Sequence, residues 1–223
     1  MVHVINRFQR PAKKTVDRFR GIGTATVHEA SGRKGYVDCA IKPIARGVRI
    51  CGPAFTVQCH PRDNLMLHKA LERAQPGDVI VASVGGYYEA GYWGGLMATS
   101  AMGRKIAGLA IDGCVRDSEE MIRMGFPIFC RGRCILGTAK SALGLINHPT
   151  LFGGAIVNPG DIILGDDDGM VIVARTECED VLAKSLARVD SEEKKAVQLA
   201  SGVSSVEFNQ LGKIFDFLGL REE

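Results

Sequence analysis

The chain has 223 residues, 46% of them hydrophobic and 24% charged, with a mean hydropathy of +0.05. This is the composition of a compact globule with a substantial core, and its longest apolar runs, such as Val79-Ile80-Val81-Ala82, are far too short to span a bilayer. The formal charge is only +3 with both signs interspersed, which leaves no nucleic-acid footprint.

The opening Met1-Val2-His3-Val4-Ile5-Asn6-Arg7 lacks the basic-then-apolar pattern of a signal peptide. Pro11 to Arg20 reads as a helix with Val16 and Phe19 on its apolar face, broken by Gly21-Ile22-Gly23. Thr24 to Ala30 follows as a short helical turn. Between Ile41 and His60 the pattern turns to strands, with Val48, Ile50, Phe55 and Val57 alternating against smaller or polar residues. Asp63 is placed to cap a helix carrying Leu65, Leu67, His68 and Leu71, which Gln75-Pro76-Gly77-Asp78 stops. A strand from Val79 to Val84, a glycine- and aromatic-rich loop from Gly85 to Gly95, a helix from Leu96 to Lys105 and a strand from Gly108 to Ile111 come next. A further strand, Pro127 to Cys130, continues the alternation, which predicts parallel strands joined by crossovers.

Beyond Gly132 the pattern returns to short strands at Ala155-Ile156-Val157, Ile162-Ile163-Leu164 and Met170-Val171-Ile172-Val173. The stretch Asp166-Asp167-Asp168-Gly169 between the last two is a hairpin signal; it lacks the closing Glu of an EF-hand loop, so turn chemistry explains it better than a cation. A long amphipathic helix spans Glu177 to about Ala200, and a second helix is expected over Val206 to Leu218. Without repeats or linkers, the chain reads as a single domain, 1–223, with a helical extension from about 177. Seven cysteines with no CxxC pair suit free thiols in a reducing compartment, so a cytoplasmic location is expected. Five scattered histidines form no Ser-His-Asp or Cys-His set, and the spacing of His60 and His68 makes a shared metal doubtful.

Chemistry concentrates at Cys114-Val115-Arg116-Asp117-Ser118, where an apolar strand gives way to an acidic helix start. The Asp can hold a hard divalent cation, and the Arg fork a carboxylate or an enolate. The plain alternative is that Asp117 caps the helix while Arg116 pairs with a neighbouring acid. Upstream, the loop Gly85 to Gly95 follows a strand and opens onto a helix, so its backbone N–H groups are placed to bind an anion. Its spacing matches neither a dinucleotide fingerprint nor a P-loop, and a small carboxylate fits it better than a nucleotide.

The stretches Trp93-Gly94-Gly95-Leu96-Met97-Ala98-Thr99-Ser100 and Gly108 to Asp117 resemble the pyruvate aldolases of aromatic catabolism. Those enzymes act on 4-hydroxy-4-methyl-2-oxoglutarate and 4-carboxy-4-hydroxy-2-oxoadipate, decarboxylate oxaloacetate, and share a fold with the regulator of ribonuclease E activity A. Ala25-Thr26-Val27-His28-Glu29-Ala30, Gln75-Pro76-Gly77-Asp78, Val157-Asn158-Pro159-Gly160-Asp161, Asp166-Asp167-Asp168-Gly169 and Glu192-Glu193 extend the likeness over most of the chain. The resemblance implies an α/β fold of the layered α/β/β swivelling type, with a central sheet, flanking helices and C-terminal helices that contact a neighbouring subunit in a homotrimer or homohexamer.

It also implies a metal-dependent lyase that cleaves a 4-hydroxy-2-oxo di- or tricarboxylic acid to pyruvate and a second keto acid. Asp117 is implied as the ligand to Mg²⁺ or Mn²⁺, and Arg116 as the group that contacts the keto acid and its enolate oxygen. Backbone N–H groups of Gly94, Gly95, Leu96 and Met97 are implied to hold the substrate carboxylate, and Glu192 or Glu193 to reach a neighbouring subunit's site. One departure stands out. The family pattern has an Asp twenty-one positions before the Arg, and this chain has Gly95 there; nearby Glu89 is a candidate substitute. The alternative reading is a non-catalytic binding protein of the ribonuclease-regulator type, which the loss of that Asp favours.

Overall fold

The computed structural model describes residues 2–223. Their contacts divide into two units, one ending at Ser185 and the other comprising Leu186–Glu223.

The first unit opens with helices α1 (Lys13–Phe19) and α2 (Thr24–Ala30) on either side of the Gly21-Ile22-Gly23 break, and α1 buries Val16 and Phe19 as its spacing predicts. Next come β1 (Lys42–Pro43), β2 (Ile50–Gln58), α3 (Leu65–Arg73), β3 (Val79–Ser83), α4 (Gly95–Gly103), β4 (Gly108–Val115), α5 (Ser118–Met124) and β5 (Ile128–Arg133). Five shorter strands complete it: β6 (Leu145–Ile146), β7 (Thr150–Phe152), β8 (Ala155–Val157), β9 (Ile162–Asp166) and β10 (Gly169–Val173).

Strands β2, β3, β4 and β5 are mutually parallel and neighbouring, as the strand–helix alternation predicts. The full order is β1-β5-β4-β3-β2-β9-β10, with β1, β9 and β10 joined antiparallel and β6 paired to the end of β2. The two ends of this mixed sheet approach each other. Lys42 Nζ donates to the Asp168 carbonyl at 2.5 Å and Gly47 N to the Asp167 carboxylate at 2.9 Å, so the sheet nearly closes. Asp166 accepts from the N and Oγ1 of Thr24 at 2.8 and 2.6 Å. The triple acid is therefore consumed in turn and closure chemistry.

β2 does not alternate, because it lies inside the sheet and packs on both faces; it is buried almost throughout. One cluster, including Leu67, Trp93, Ala98, Leu109 and Met121, lies under α3, α4 and α5, and the other gathers Ile41, Ala110, Phe129, Phe152 and Ile163. β4 runs four residues past its expected end, with a bulge between Ile111 and Cys114. Asp112-Gly113 resembles a turn in isolation. Here Asp112 is held by Arg131 Nε and by Gly153 N–H at 3.0 Å, so the strand continues to the threshold of Arg116.

α6 (Cys178–Ala200) buries Cys178, Val181, Leu182 and Ser185 within the first unit. The second unit holds the rest of α6 with α7 (Ser205–Phe208) and α8 (Gly212–Leu218). The single helix expected over Val206 to Leu218 is two: Ser204 Oγ caps α7, and Gln210 at φ +54° breaks the chain before α8. Among the described residues no helix is long and apolar enough to cross a membrane.

Candidate functional site

The loop between β3 and α4 is where sequence chemistry and fold meet. Its aromatic residues are anchors: Trp93 is buried and stacks on Phe126 at 6.1 Å, while the Tyr92 hydroxyl accepts from Arg62 N and donates to the Tyr87 carbonyl, both at 2.8 Å. Tyr92 N donates to the Cys114 carbonyl at 3.0 Å and Arg116 N to the Trp93 carbonyl at 2.9 Å, which stitches the loop alongside the end of β4. The loop's later glycines serve close approach. A Cβ on Gly91 would lie 2.9 Å from Arg116 Cβ, and one on Gly94 3.3 Å from Arg116 Nε, so the arginine stem lies flat on the glycines.

Asp117 occupies the N-cap position of α5 in the left-handed region, at φ +55° and ψ +36°, but makes no side-chain cap bond. Aspartate tolerates this region better than most residues, and the consequence is directional. Its carboxylate turns away from its own helix and accepts from Gly95 N at 3.1 Å, with Arg116 Nε 3.8 Å from Oδ2. The side-chain cap expected in the plain alternative is therefore not made, while its other part, a pairing of Arg116 with a neighbouring acid, is found with Asp117 itself. Both side chains remain about half exposed, 50% for Arg116 and 45% for Asp117.

They face a cavity of about 290 Å³ at the carboxyl ends of the parallel strands, where ligands of open α/β sheets gather. Gly94, Leu96, Met97, Arg116 and Asp117 line one wall; Asn64 at the N-cap of α3 and His68 within it, with Thr138 and Lys140, line the other. A second cavity, of about 330 Å³, opens at the amino ends of the same strands and is lined by Arg20, Arg49 and Lys105 but by no acid. Of these two, only the first joins a cation to a carboxylate.

Of the four backbone donors expected at the start of α4, two are already engaged: Gly95 N by Asp117 and Met97 N by the Gly94 carbonyl at 3.1 Å. Leu96 N–H lies in the first turn, where a helix leaves donors without an intrahelical acceptor. The expected four-donor cradle is thus narrower, because the aspartate has taken one place in it. Glu192 pairs with Arg188 at 2.7 Å and Glu193 is exposed, both in the second unit.

The opposite wall escaped the sequence reading, because its residues come from segments far apart in the chain. Asn64 is buried with Oδ1 unpartnered, while its Nδ2 donates to the Tyr92 carbonyl at 2.9 Å. Burial and then the charge of Lys140 lower the His68 pKa, which favours a neutral imidazole at pH 7. Asp63 is the one local signal: it precedes the N-cap residue Asn64, accepts from Leu65 N at 2.8 Å, and binds Ser141 N and Ala142 N at 2.6 and 3.0 Å. It therefore ties the Lys140 loop to α3.

Burial pushes the Asp63 carboxyl up, but the bonds from Ser141, Leu65 and Ala142 outweigh this and hold it below the usual range. A depressed folded pKa stabilises the fold above the unfolded value of about 3.9, and that contribution fades as pH falls through the folded value. Asp63→Asn is accordingly expected to lower Tm at pH 7 and to flatten the fall in Tm between about pH 5 and 2. Thermal melts across that range check it; parallel curves would contradict the assignment.

The seven cysteines are free, and burial raises Cys51 and Cys59 to about 12 and Cys130 to about 11, which makes these three inert as nucleophiles. Among the described residues no group of three or more His, Cys, Asp or Glu side chains forms a metal cage.

Fold and cavity together define an α/β protein with a small polar cavity at its strand ends. The family described as "RraA-like: Aldolase/RraA" matches residues 24–172, more than half of the chain, and the protein belongs to it. A relative from Halalkalibacterium halodurans, named "Putative 4-hydroxy-4-methyl-2-oxoglutarate aldolase", is 34% identical over 191 residues, covering 86% of this chain and 91% of its own. Among solved structures, Streptomyces coelicolor RraAS2, described as an unusual member of the RNase ES inhibitor RraA protein family, aligns with a TM-score of 0.78. It is 27% identical and covers 85% of this chain and 99% of its own. An uncharacterized protein from Pseudomonas syringae pv. tomato aligns at 0.77 with 28% identity, over 90% and 98% of the two chains.

Proposed function

We propose that the protein is a divalent-metal-dependent lyase that cleaves a 4-hydroxy-2-oxo di- or tricarboxylic acid to pyruvate and a second keto acid. The observation that carries this is the Arg116–Asp117 pair, presented together at the cavity wall by a left-handed turn that frees the carboxylate from helix capping.

A hard cation fits here. Asp117 offers a half-exposed carboxylate oxygen, and Gly94 leaves open the space beside it, since a Cβ there would lie 2.4 Å from Oδ2. Mg²⁺ is bound through one or two carboxylates and keeps several waters, so a sparse protein donor set suits it. Asp117 would hold Mg²⁺ or Mn²⁺, which when bound would supply Lewis-acid polarisation of the 2-keto group.

The chain's own groups bind and polarise the substrate. Arg116 places fixed positive charge where the keto oxygen gains negative charge as C3–C4 breaks. The start of α4, through Leu96 N–H, presents a donor and the positive helix end to the substrate's 1-carboxylate. Transfer of the 4-hydroxyl proton to solvent water turns C4 into the carbonyl of the departing keto acid as C3–C4 breaks, and return of a proton from solvent to C3 of the three-carbon enolate gives pyruvate. Decarboxylation of oxaloacetate passes through the same enolate, so it is expected as a side activity.

A lactate dehydrogenase-coupled assay with Mg²⁺ and Mn²⁺ titrations tests this. Pyruvate release is expected to require the metal and to be lost in Asp117→Ala. Failure to turn over any hydroxy-keto acid or oxaloacetate, with or without metal, would instead favour the binding-protein reading that the likeness to RraAS2 supports. Gly94→Ala gives a finer check. Its methyl would displace the Asp117 carboxylate, so activity should fall by more than about 10-fold while Tm changes by only a few degrees.

A further inference from the structure

Gly95 leaves a space that is already filled. A Cβ built on it would lie 2.2 Å from Glu120 Oε2, 2.7 Å from Cδ and 3.2 Å from Oε1, so the Glu120 carboxylate rests directly over this glycine. The N–H of the same residue donates to Asp117 Oδ2 at 3.1 Å. Two carboxylates thus converge on residue 95. They come from Asp117, the left-handed N-cap residue that precedes α5, and from Glu120 in the first turn of that helix.

Arg116 Nε stands 3.8 Å from Asp117 Oδ2, whereas Glu120 has no hydrogen-bond or ion-pair partner among the described residues. Glu89, the substitute suggested by sequence, is not among the atoms beside residue 95, whereas the three nearest all belong to Glu120, which like Glu89 is exposed.

We propose that Glu120 is the second carboxylate of the Asp117 cation site, occupying from α5 the place that a side chain at residue 95 would otherwise take. The proposal rests on the reading of Asp117 as the cation-holding residue, and it explains why residue 95 is glycine: any side chain there competes with Glu120 for one space. The acid is supplied by a neighbouring helix instead of by α4, so its charge is retained and only its point of attachment differs. Glu120 acts here by holding or orienting the cation; it needs no contact with the substrate.

The test is Mn²⁺ binding to the full-length, chelator-stripped protein, read by electron paramagnetic resonance and water-proton relaxation, with circular dichroism confirming the fold of each variant. Wild type is expected to bind Mn²⁺ and Asp117→Asn to lose it. Glu120→Gln and Glu120→Ala are expected to bind about 10-fold more weakly, in the range that loss of supporting partners costs a metal site. Glu119→Gln, which removes the neighbouring exposed acid of the same helix, should bind as wild type does. The double variant Gly95→Asp with Glu120→Ala, which moves the carboxylate to α4, should recover to within about 3-fold of wild type, or about 0.65 kcal/mol by the free-energy equivalence of an affinity ratio.

Wild-type affinity in both Glu120 variants, with binding still lost in Asp117→Asn, would overturn the proposal and leave the Asp117 reading intact. Equal weakening by Glu119→Gln would overturn it as well, by showing a general effect of surface charge. Absence of Mn²⁺ binding in wild type would remove both.

Discussion

Arg116→Ala is expected to lower kcat/KM for pyruvate release by about 10²–10³-fold, the size of effect seen when one preorganised donor to a developing oxyanion is removed. The geometry favours the upper part of that range for catalysis and a small effect on stability. The guanidinium is half exposed at the cavity, while the stem lies on Gly91 and Gly94 and the backbone is fixed by its own bond to Trp93. Truncation therefore removes charge from the cavity without opening a core. Arg116→Lys separates charge from shape: lysine keeps the charge but loses the planar fork, so an intermediate loss of about 10-fold or more is expected. Steady-state kinetics on both variants, beside Tm values within about 3 °C of wild type, check the assignment. Near-normal turnover in the alanine variant would exclude Arg116 from the chemistry.

The parallel sheet was readable because its determinants are local. Apolar runs at Val79 and Gly108, each followed by helical spacing and punctuated by glycine, define strand–helix units whatever surrounds them. The extension of β4 was not readable. Asp112-Gly113 has the local chemistry of a turn, and the groups that keep it in a strand, Arg131 and Gly153, lie nineteen and forty-one positions away. The site divides in the same manner. Arg116 and Asp117 are adjacent in sequence and announce themselves, whereas Asn64, His68, Thr138 and Lys140 meet them only through the fold. Even at Asp117, sequence could not choose between a cap and a ligand, because that choice turns on a left-handed backbone conformation. Gly95 read as a loss; in three dimensions it is a vacancy filled from α5.

Asp112→Ala is expected to destabilise the protein by about 3–5 kcal/mol, the cost of breaking a buried ion pair from one side. The side chains of Arg131 and Asp112 are only 17% and 12% exposed. Burial works against the Arg131 charge, but its bonds to Asp112 and Asp38 outweigh this and hold the guanidinium above its ordinary range. Removing Asp112 leaves that charge with the more exposed Asp38, at 3.0 Å and 42% exposed, and with the face of Tyr88 at 4.5 Å; it also strands the Gly153 N–H. At about 2–4 °C per kcal/mol for a chain of this size, Tm should fall by roughly 10 °C. Asp38→Ala removes the outer partner alone and should cost no more than about 1 kcal/mol. Changing Asp112 and Arg131 together to leucine and methionine should cost less than Asp112→Ala, because no buried charge is left uncompensated. Denaturant melts of the three variants would show this order. A double variant at least as unstable as Asp112→Ala would mean that Asp112 holds β4 by its backbone setting, and that Arg116 is positioned without help from the ion pair four residues before it.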